Sequence, residues 1–353
     1  IRWALLDFRS DGRSDYAVEF GPSVRNEVKG GISVRSVRGG IVVATGAMTV
    51  RIPRQQVMLP GIVEVEQPDG STHCFAPSGQ LRRPVPAISV VDGAGKVYRS
   101  GKPERVVVEE NGPERACILI ECRHKGQGAK TLMKSILRLN FFRDSRRVRV
   151  EHTFVNDRAA SRCHQTATDA SQFDQIRSFR LNLPVDFGER IERNELGGAL
   201  ASGETLELAQ LQDNQYTVRR QGRVVRKGRH TDGTASIASD CTSVQLTMRD
   251  FWQNYPKGLA VDESGFRVDL CPELDASTYP RGGELEDRLF FYLLDGKYKL
   301  RRGVSKTHDI WISYGPDAEP LRAVSNPPLY RVPLKVLNES SAWTRLPTKS
   351  PSP

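Results

Sequence analysis

Two short segments of the sequence concentrate side chains that could do chemistry on a sugar. The first runs from Arg249 to Lys257 and places aromatic rings, amides, a carboxylate and two cations within one turn. Flat aromatic faces suit sugar rings, and fixed polar groups suit sugar hydroxyls. The alternative interpretation is structural, with Phe251 and Trp252 in the core and Arg249 paired with Asp250.

The second segment runs from Lys299 to Trp311 and contains a cation two residues before a histidine. Side chains alternate between the faces of a strand, so Lys306 and His308 share one face. A cation beside an imidazole suits proton abstraction next to a carboxylate, because the cation neutralises the acid while the imidazole exchanges the proton. The alternative is a surface histidine in a basic strand.

Other catalytic motifs are missing from the sequence. The remaining histidines show neither HxH nor HExxH spacing, and there is no GxSxG elbow, phosphate-binding loop or calcium loop. The six cysteines form no CxxC pair, which argues against a zinc ribbon and favours free buried thiols over disulfides. The cofactor stays open, with a divalent cation such as calcium as the candidate, and no metal ligands are assigned.

The sequence pattern predicts that the elements which position these two segments are β-strands. Short apolar runs rich in valine and isoleucine alternate with Gly, Pro and Asp-Gly turns, and no helical period of useful length appears before residue 317. From about residue 105 the runs lengthen, as expected for a large sandwich. In the run from Arg147 to Val155 charged and apolar residues alternate, which predicts a sheet with one solvated face. We therefore predict an all-β protein of two domains.

The charge balance favours an anionic partner. The 353 residues contain 52 Lys and Arg against 42 Asp and Glu, a net charge of +10. No apolar stretch reaches the roughly 18 residues that span a bilayer, so no membrane partner is expected. The apolar start at Ile1 is not a signal peptide, so either the chain is cytoplasmic or its leader has been removed; the abrupt start favours a secreted or periplasmic protein whose leader is absent from this chain.

The two segments together resemble paired motifs of the exo-rhamnogalacturonan lyase and YetA-like family. They read RDFWQNYPK from Arg249 and RGVSKTHD from Arg302, and the opening residues Trp3, Asp7, Tyr16 and Gly21 are also similar to that family. The resemblance implies a RIFT-type β-barrel over residues 1–95 and a galactose-mutarotase-like antiparallel β-sandwich over 96–325. Residues 326–353 would then be a Pro- and Ser-rich linker to an absent helical (α/α) toroid domain.

The resemblance also implies an activity, the cleavage of rhamnogalacturonan or a related pectin-type acidic polysaccharide by β-elimination. A polysaccharide lyase of this kind needs a base, an acid and a cation that neutralises the uronate carboxylate. The candidate catalytic residues are His308, Lys306 and Tyr255. The candidate substrate-binding residues are Arg249, Asp250, Trp252, Gln253, Lys257 and Arg302.

Two alternatives belong to other classes of function. The chain could be a non-catalytic carbohydrate-binding or scaffold module that supports a separate catalytic domain. A nucleic-acid-binding protein is disfavoured, because aromatic residues are only 7% of the chain and are not interleaved with cations on one strand face. For the lyase we predict that Arg249, Trp252 and Lys257 lie near Lys306 and His308 on one open face of the sandwich.

Overall fold

The computed structural model describes residues 14, 31–67, 69–75, 85–159, 172–185, 196, 198–239, 242–274, 276–280, 282–284, 293–315, 321 and 324. Several features of the sequence lie outside these residues: Trp3, Asp7, Tyr16, Gly21, Cys163, His164, Cys241 and the Pro- and Ser-rich segment 326–353. No helix in the described part of the chain is long and apolar enough to cross a membrane.

The first sheet is built from five consecutive short strands. They are β1 (Ser33–Val37), β2 (Gly40–Ala44), β3 (Thr49–Pro53), β4 (Ile62–Glu66) and β5 (Thr72–Phe75). Each pairs antiparallel with the next, so the spatial order equals the chain order. Tight turns favour this meander, and positive φ angles at Gly39 and Gly70 are conformations that glycine adopts without steric cost.

The second and larger group contains seventeen strands. They are β6 (Ile88–Asp92), β7 (Val97–Ser100), β8 (Arg105–Asn111), β9 (Arg115–Lys125), β10 (Thr131–Phe142), β11 (Arg147–Val155), β12 (Phe173–Pro184), β13 (Leu206–Gln212), β14 (Gln215–Arg220), β15 (Arg223–Gly228), β16 (Thr234–Ala238), β17 (Ser243–Met248), β18 (Lys257–Asp262), β19 (Gly265–Cys271), β20 (Leu293–Leu294), β21 (Lys297–Arg301) and β22 (Ser305–Gly315). One 3₁₀ turn, Gln127–Ala129, interrupts them.

These strands form two antiparallel layers. One layer has the order β16-β17-β22-β11-β10-β9, with β8 and β7 both pairing with β9. The other has the order β15-β14-β13-β18-β19-β12, with β6 and β21 both pairing with β12. The β6–β7 hairpin joins the layers along one side. The candidate segments therefore lie on neighbouring strands of the first layer, at β17 and β22.

The core lies between the layers. On β11 the residues Val148, Val150, His152 and Phe154 are buried and alternate with partly exposed neighbours, as the sequence pattern predicts. Phe179 of β12 faces them across the core, with ring centroids 5.6 Å from Phe154 and 5.4 Å from His152. Burying a large apolar side chain contributes roughly 1.5–3 kcal/mol, so this interlayer contact is a main source of stability.

The five-stranded sheet packs against one end of the larger body. Asp144, in the β10–β11 turn, donates its backbone N–H to the Thr45 carbonyl (2.7 Å), and Thr45 Oγ1 donates to the Ser145 carbonyl (2.8 Å). Phe75 contacts Tyr314 with ring centroids 5.2 Å apart. These contacts fix the small sheet beside the turns of the sandwich.

The predicted fold class is confirmed, because the described elements are antiparallel strands with one 3₁₀ turn. The change of sheet falls between β5 and β6, since β6 already pairs with β12 of the sandwich. The division at residue 95 and the RIFT-type nature of the first unit remain predictions.

Candidate functional site

A tight turn between β17 and β18 carries the first candidate segment. Asp250 adopts a left-handed conformation (φ 53°), and its carbonyl accepts hydrogen bonds from the backbone N–H (3.0 Å) and the side-chain amide (2.8 Å) of Asn254. Phe251 is buried and anchors the turn. Gly233 lies beneath it with φ +70°, and a Cβ there would come within 2.3 Å of the Phe251 ring. The turn is therefore held by its own hydrogen bonds and by one buried ring.

The turn contacts the start of β22, which carries the second segment. Arg249 donates its backbone N–H to the Asp309 carbonyl at 2.9 Å. Lys306 Nζ donates to Asn254 Oδ1 at 2.7 Å. The two motifs, separated by about fifty residues in the sequence, are neighbours in the structure. We call Arg249, Trp252, Asn254, Tyr255 and Lys306 the turn cluster.

Trp252 is the half-buried aromatic residue of the turn cluster. Its ring stacks on His230, with centroids 4.0 Å apart and planes inclined by 12°. This pairing was not predicted from the sequence, because His230 precedes β16 and belongs to a different part of the chain. One face of the indole is covered by the imidazole, and the residue is only partly buried, so part of it remains open to a ligand.

Lys257 was expected on an open face, and this placement is wrong. Its side chain is buried between the layers, where Nζ donates to the carbonyls of Leu270 (2.7 Å) and Pro256 (3.0 Å). Burial lowers the pKa of Lys257 to about 8, because the low-polarity interior disfavours the charged ammonium. In this position Lys257 does not contact a ligand at the surface.

His308 is also buried, which corrects the second part of that expectation. On β22 it shares the inward face with Ile310 and Ile312. Neither ring nitrogen of His308 has a hydrogen-bond partner among the described residues. Burial, reinforced by the charges of Lys257 and Lys306 and by His152, holds its pKa well below the ordinary value. His308 is therefore a neutral imidazole behind Lys306.

A row of polar side chains continues from His308 through the core. His152 lies directly opposite His308 on β11, with ring centroids 6.3 Å apart. Ser135 Oγ lies 2.8 Å from His152 Nε2 and 2.9 Å from His124 Nε2. His124 Nδ1 lies 3.0 Å from the Leu132 carbonyl, so this nitrogen carries the donated proton.

That proton fixes the direction of the hydrogen bonds along the row. His124 Nε2 then accepts from the Ser135 hydroxyl, whose oxygen in turn accepts from His152 Nε2–H. Burial lowers the pKa of His124 to about 4 and that of His152 to about 3. We call His124, His152 and His308 the buried histidine row; all three are neutral at neutral pH.

Lys306 is the candidate proton-handling residue that can reach solvent. The residue is exposed as a whole, yet partial burial of its ammonium group lowers its pKa. In the β17–β18 turn, Tyr255 is half-buried and Gln253 is exposed. Arg249 is exposed, and its guanidinium lies 3.7 Å from Asp250 and 4.0 Å from Asp309.

Arg302 belongs to a different group of contacts. Its guanidinium lies 3.5 Å from Asp174 Oδ1, and Arg158 contacts the same carboxylate at 2.6 Å. The backbone N–H of Arg302 donates to the Gln172 carbonyl, which ties the turn before β22 to the start of β12. No described contact joins Arg302 to the turn cluster, so its predicted substrate-binding role has no support from these contacts.

The outward face of β11 and β22, beside the turn cluster, carries a network of ion pairs. The sequence predicted the charged face but not the individual pairs. Arg149 makes a two-pronged contact with Asp309, at 3.0 and 2.9 Å, and also contacts Glu151 at 3.1 Å. The Arg149 guanidinium lies 5.8 Å from the Trp311 ring, which stacks on Phe142. Alternation along β11 predicted this solvated face, whereas the pairing with β22 required the tertiary structure.

The described residues do not fit a metal site. Within the described ranges, no group of three or more His, Cys, Asp and Glu side chains is arranged to hold a metal ion. Cys117, Cys122 and Cys271 are free buried thiols, as predicted, whereas Cys74 is exposed, which corrects the prediction for that residue.

Comparison with known proteins gives one family match, to the PcRGLX-like protein central beta sandwich domain over residues 32–168. This match covers less than half of the chain and includes the five-stranded sheet. It supports the class of the resemblance, a β-sandwich module related to rhamnogalacturonan lyase-like, carbohydrate-active proteins. Membership of the YetA-like branch and the RIFT-type barrel are not confirmed by it. Among curated proteins, none matches this chain in sequence.

Several solved structures are similar at low identity. A TPR-domain containing protein from Parabacteroides distasonis has 10% identity and a TM-score of 0.39, covering 84% of this chain and 50% of that protein. An alpha-mannosidase from Enterococcus faecalis has 9% identity and a TM-score of 0.42, covering 82% and 31%. A galactose mutarotase related enzyme from Lactobacillus acidophilus has 13% identity and a TM-score of 0.35, covering 82% and 100%. The chain thus spans half or less of the first two proteins.

Proposed function

We propose that this chain is the β-sandwich part of a polysaccharide lyase-like protein that acts on an acidic polysaccharide of the rhamnogalacturonan type. The contact between Lys306 and Asn254 carries the proposal, because it brings a lysine of lowered pKa beside an aromatic turn. The match of residues 32–168 supports the class of substrate. We also propose that this chain acts as one part of a larger protein.

Binding of a uronate would use the exposed members of the turn cluster. Arg249 supplies positive charge for the carboxylate, and a charge-assisted hydrogen bond is stronger than a neutral one. The partly open indole of Trp252 offers a flat surface for a sugar ring. Asn254 fixes the Lys306 amino group, which limits the loss of side-chain entropy on binding.

The proposed reaction is a β-elimination across C4 and C5 of the uronate. A base removes the C5 proton, the electron pair forms a C4–C5 double bond, the C4–O4 bond breaks, and O4 takes up a proton. We assign the base role to the neutral amine of Lys306, since its lowered pKa enlarges the neutral fraction. Tyr255, on the β17–β18 turn, is the candidate donor to O4.

His308 has no direct contact with the substrate in this proposal. Its side chain is buried, so a substrate at the surface does not touch it in this arrangement. Burial, reinforced by the neighbouring lysine charges, keeps it neutral, and it therefore adds no further positive charge behind Lys306. We therefore assign it no step of the reaction.

The test is the formation of unsaturated uronate from rhamnogalacturonan, followed by its ultraviolet absorbance. Lys306→Gln should lower the rate by roughly a hundredfold or more, the usual range for losing a general acid or base. The matched control is Arg35→Gln, which removes an exposed cation from β1 and should leave the rate unchanged. The wild-type rate should rise with pH as Lys306 loses its proton. A Lys306→Gln variant that works at the wild-type rate would remove Lys306 from the mechanism.

A further inference from the structure

The β14–β15 hairpin holds a dense group of positive charges. Residues 214–231 contain six Lys and Arg and no Asp or Glu, whereas the whole chain has a net charge of +10. The six are Arg219, Arg220, Arg223, Arg226, Lys227 and Arg229. The fold places them at the β15 edge of the second layer, and the proposed role of the turn cluster does not account for them.

Four of these cations have no ion-pair partner among the described residues. Arg220 differs from them, because it contacts Glu204 at 3.8 Å. Crowded like charges repel each other unless an anion is bound. Cations on an edge strand also prevent pairing with other chains, and β15 pairs only with β14 among the described strands. That protective role explains the positive charge along β15, but it does not explain a polar groove that lies at the base of the β14–β15 hairpin. The four exposed cations are Arg223, Arg226, Lys227 and Arg229.

The groove at the base of the hairpin has the chemistry of a sugar site. It is a shallow, open groove of about 640 Å³, and it is lined by Gln212, Asn214, Gln215, Lys227, Gly228 and Arg229. Its volume falls within the usual range for small-molecule sites, roughly 300–1,000 Å³. Three side-chain amides can both donate to and accept from hydroxyls, while the two cations suit a carboxylate.

Buried contacts hold the groove in shape. Gln210 is fully buried, and its amide nitrogen donates to the carbonyls of Gln212 (2.8 Å) and Arg229 (3.0 Å). The Tyr216 ring lies over Gly228 so closely that a Cβ there would come within 2.4 Å of it. The backbone on both sides of the groove is therefore fixed by the hairpin itself.

The groove and the turn cluster are connected through two residues that are adjacent in sequence. Arg229 lines the groove, and the next residue, His230, stacks on Trp252. The turn of Trp252 in turn holds Lys306 through Asn254. Adjacent residues and side-chain contacts thus link the hairpin to the turn cluster.

We propose that this groove is a second subsite, which binds a uronate residue of the acidic polysaccharide at a distance from the turn cluster. The proposal rests on the proposed function for its substrate class. Lys227 and Arg229 bind the carboxylate, and the amides of Gln212, Asn214 and Gln215 bind hydroxyls. The exposed charge of the hairpin attracts the polymer and speeds its encounter with the protein.

The test measures binding of de-esterified oligogalacturonate by isothermal titration calorimetry at low and at physiological salt. Replacing both groove cations, Lys227→Gln with Arg229→Gln, should weaken binding by roughly tenfold, the effect of about 1.4 kcal/mol. The salt dependence of binding should also become less steep, because screening acts on exposed charges. The matched control is Arg35→Gln with Arg38→Gln, which removes the same charge from exposed positions of the first sheet. Circular dichroism verifies that both double variants are folded.

The expected result is a loss confined to the groove variant, with no binding of a neutral galactan. Equal affinity of the groove variant and the wild type would overturn the proposal, as would an equal loss in the control variant. Tighter binding of a single-stranded oligonucleotide of the same charge would also overturn it in favour of a general polyanion surface.

The subsite and the proposed reaction can fail separately. If Lys306→Gln retains product formation while the groove variant loses binding, the subsite stands and the proposed reaction fails. If Lys306→Gln loses product formation while the groove variant binds as tightly as the wild type, the reaction stands and the subsite fails.

Discussion

Acidification is expected to destabilise the sandwich through the buried histidine row. In the folded protein burial lowers the pKa of His124 to about 4 and of His152 to about 3, and holds that of His308 well below its ordinary value. In the unfolded chain the same groups have the ordinary value of 6.5. The unfolded state therefore binds more protons as the pH falls below about 6.5, and stability decreases with decreasing pH.

The magnitude follows from this difference in proton binding. Between about pH 7 and about pH 5.5 each histidine costs roughly 1 kcal/mol, and the three together cost roughly 3 to 4 kcal/mol. A domain has a free energy of unfolding of about 5–15 kcal/mol, so this is a large fraction. The carboxyl group of Glu109, whose pKa is lowered from 4.5 by Arg138, contributes only at lower pH.

Urea unfolding at these two pH values measures the effect, with His308→Met as the diagnostic variant. His308 makes no hydrogen bond with described residues, so an apolar replacement leaves no orphaned partner there. The variant should lose roughly 1 kcal/mol less than the wild type on acidification. The control Leu137→Ala, a buried change beside His152, should lower stability equally at both pH values. A total wild-type loss below about 1 kcal/mol would refute neutral, buried histidines.

Three further predictions concern individual residues. Gly233→Ala should destabilise the protein by roughly 3 kcal/mol, since the site has positive φ and the new Cβ meets Phe251; thermal melting measures it, and an unchanged melting temperature would contradict the packing. Trp252→Ala should weaken oligosaccharide binding without changing the melting temperature; unchanged affinity would mean that the indole does not stack on sugar. The thiols of Cys117, Cys122 and Cys271 should resist alkylation in the folded protein, because burial raises their pKa to about 12, 12 and 11; rapid labelling seen by mass spectrometry would contradict their burial.

The sequence allowed the strands and the meeting of the two motifs to be predicted, because alternation and turn residues are local signals. It did not predict which face of β22 is inward. The residues Ile310 and Ile312 follow His308 at intervals of two, and this spacing was the available signal for its burial. His152 carries the same signal, with Val150 and Phe154 on its face.

Other features depend on tertiary contacts that no local pattern contains. Lys257 is buried because both faces of β18 are covered, although a lysine beside glycine reads as a surface residue. The stacking of His230 on Trp252 joins segments that are not adjacent in sequence. The cations of the hairpin are visible in the sequence, whereas the groove of Lys227 and Arg229 forms only when β13 pairs with β14.

A crystal structure of the protein with a rhamnogalacturonan oligosaccharide tests the central claim most directly. We predict a uronate carboxylate within about 3 Å of the Arg249 guanidinium, the distance of a charge-assisted hydrogen bond, with C5 of that uronate facing Lys306 Nζ and a sugar ring against Trp252. An oligosaccharide bound away from both Lys306 and Trp252 would contradict the assignment of the turn cluster as the substrate site.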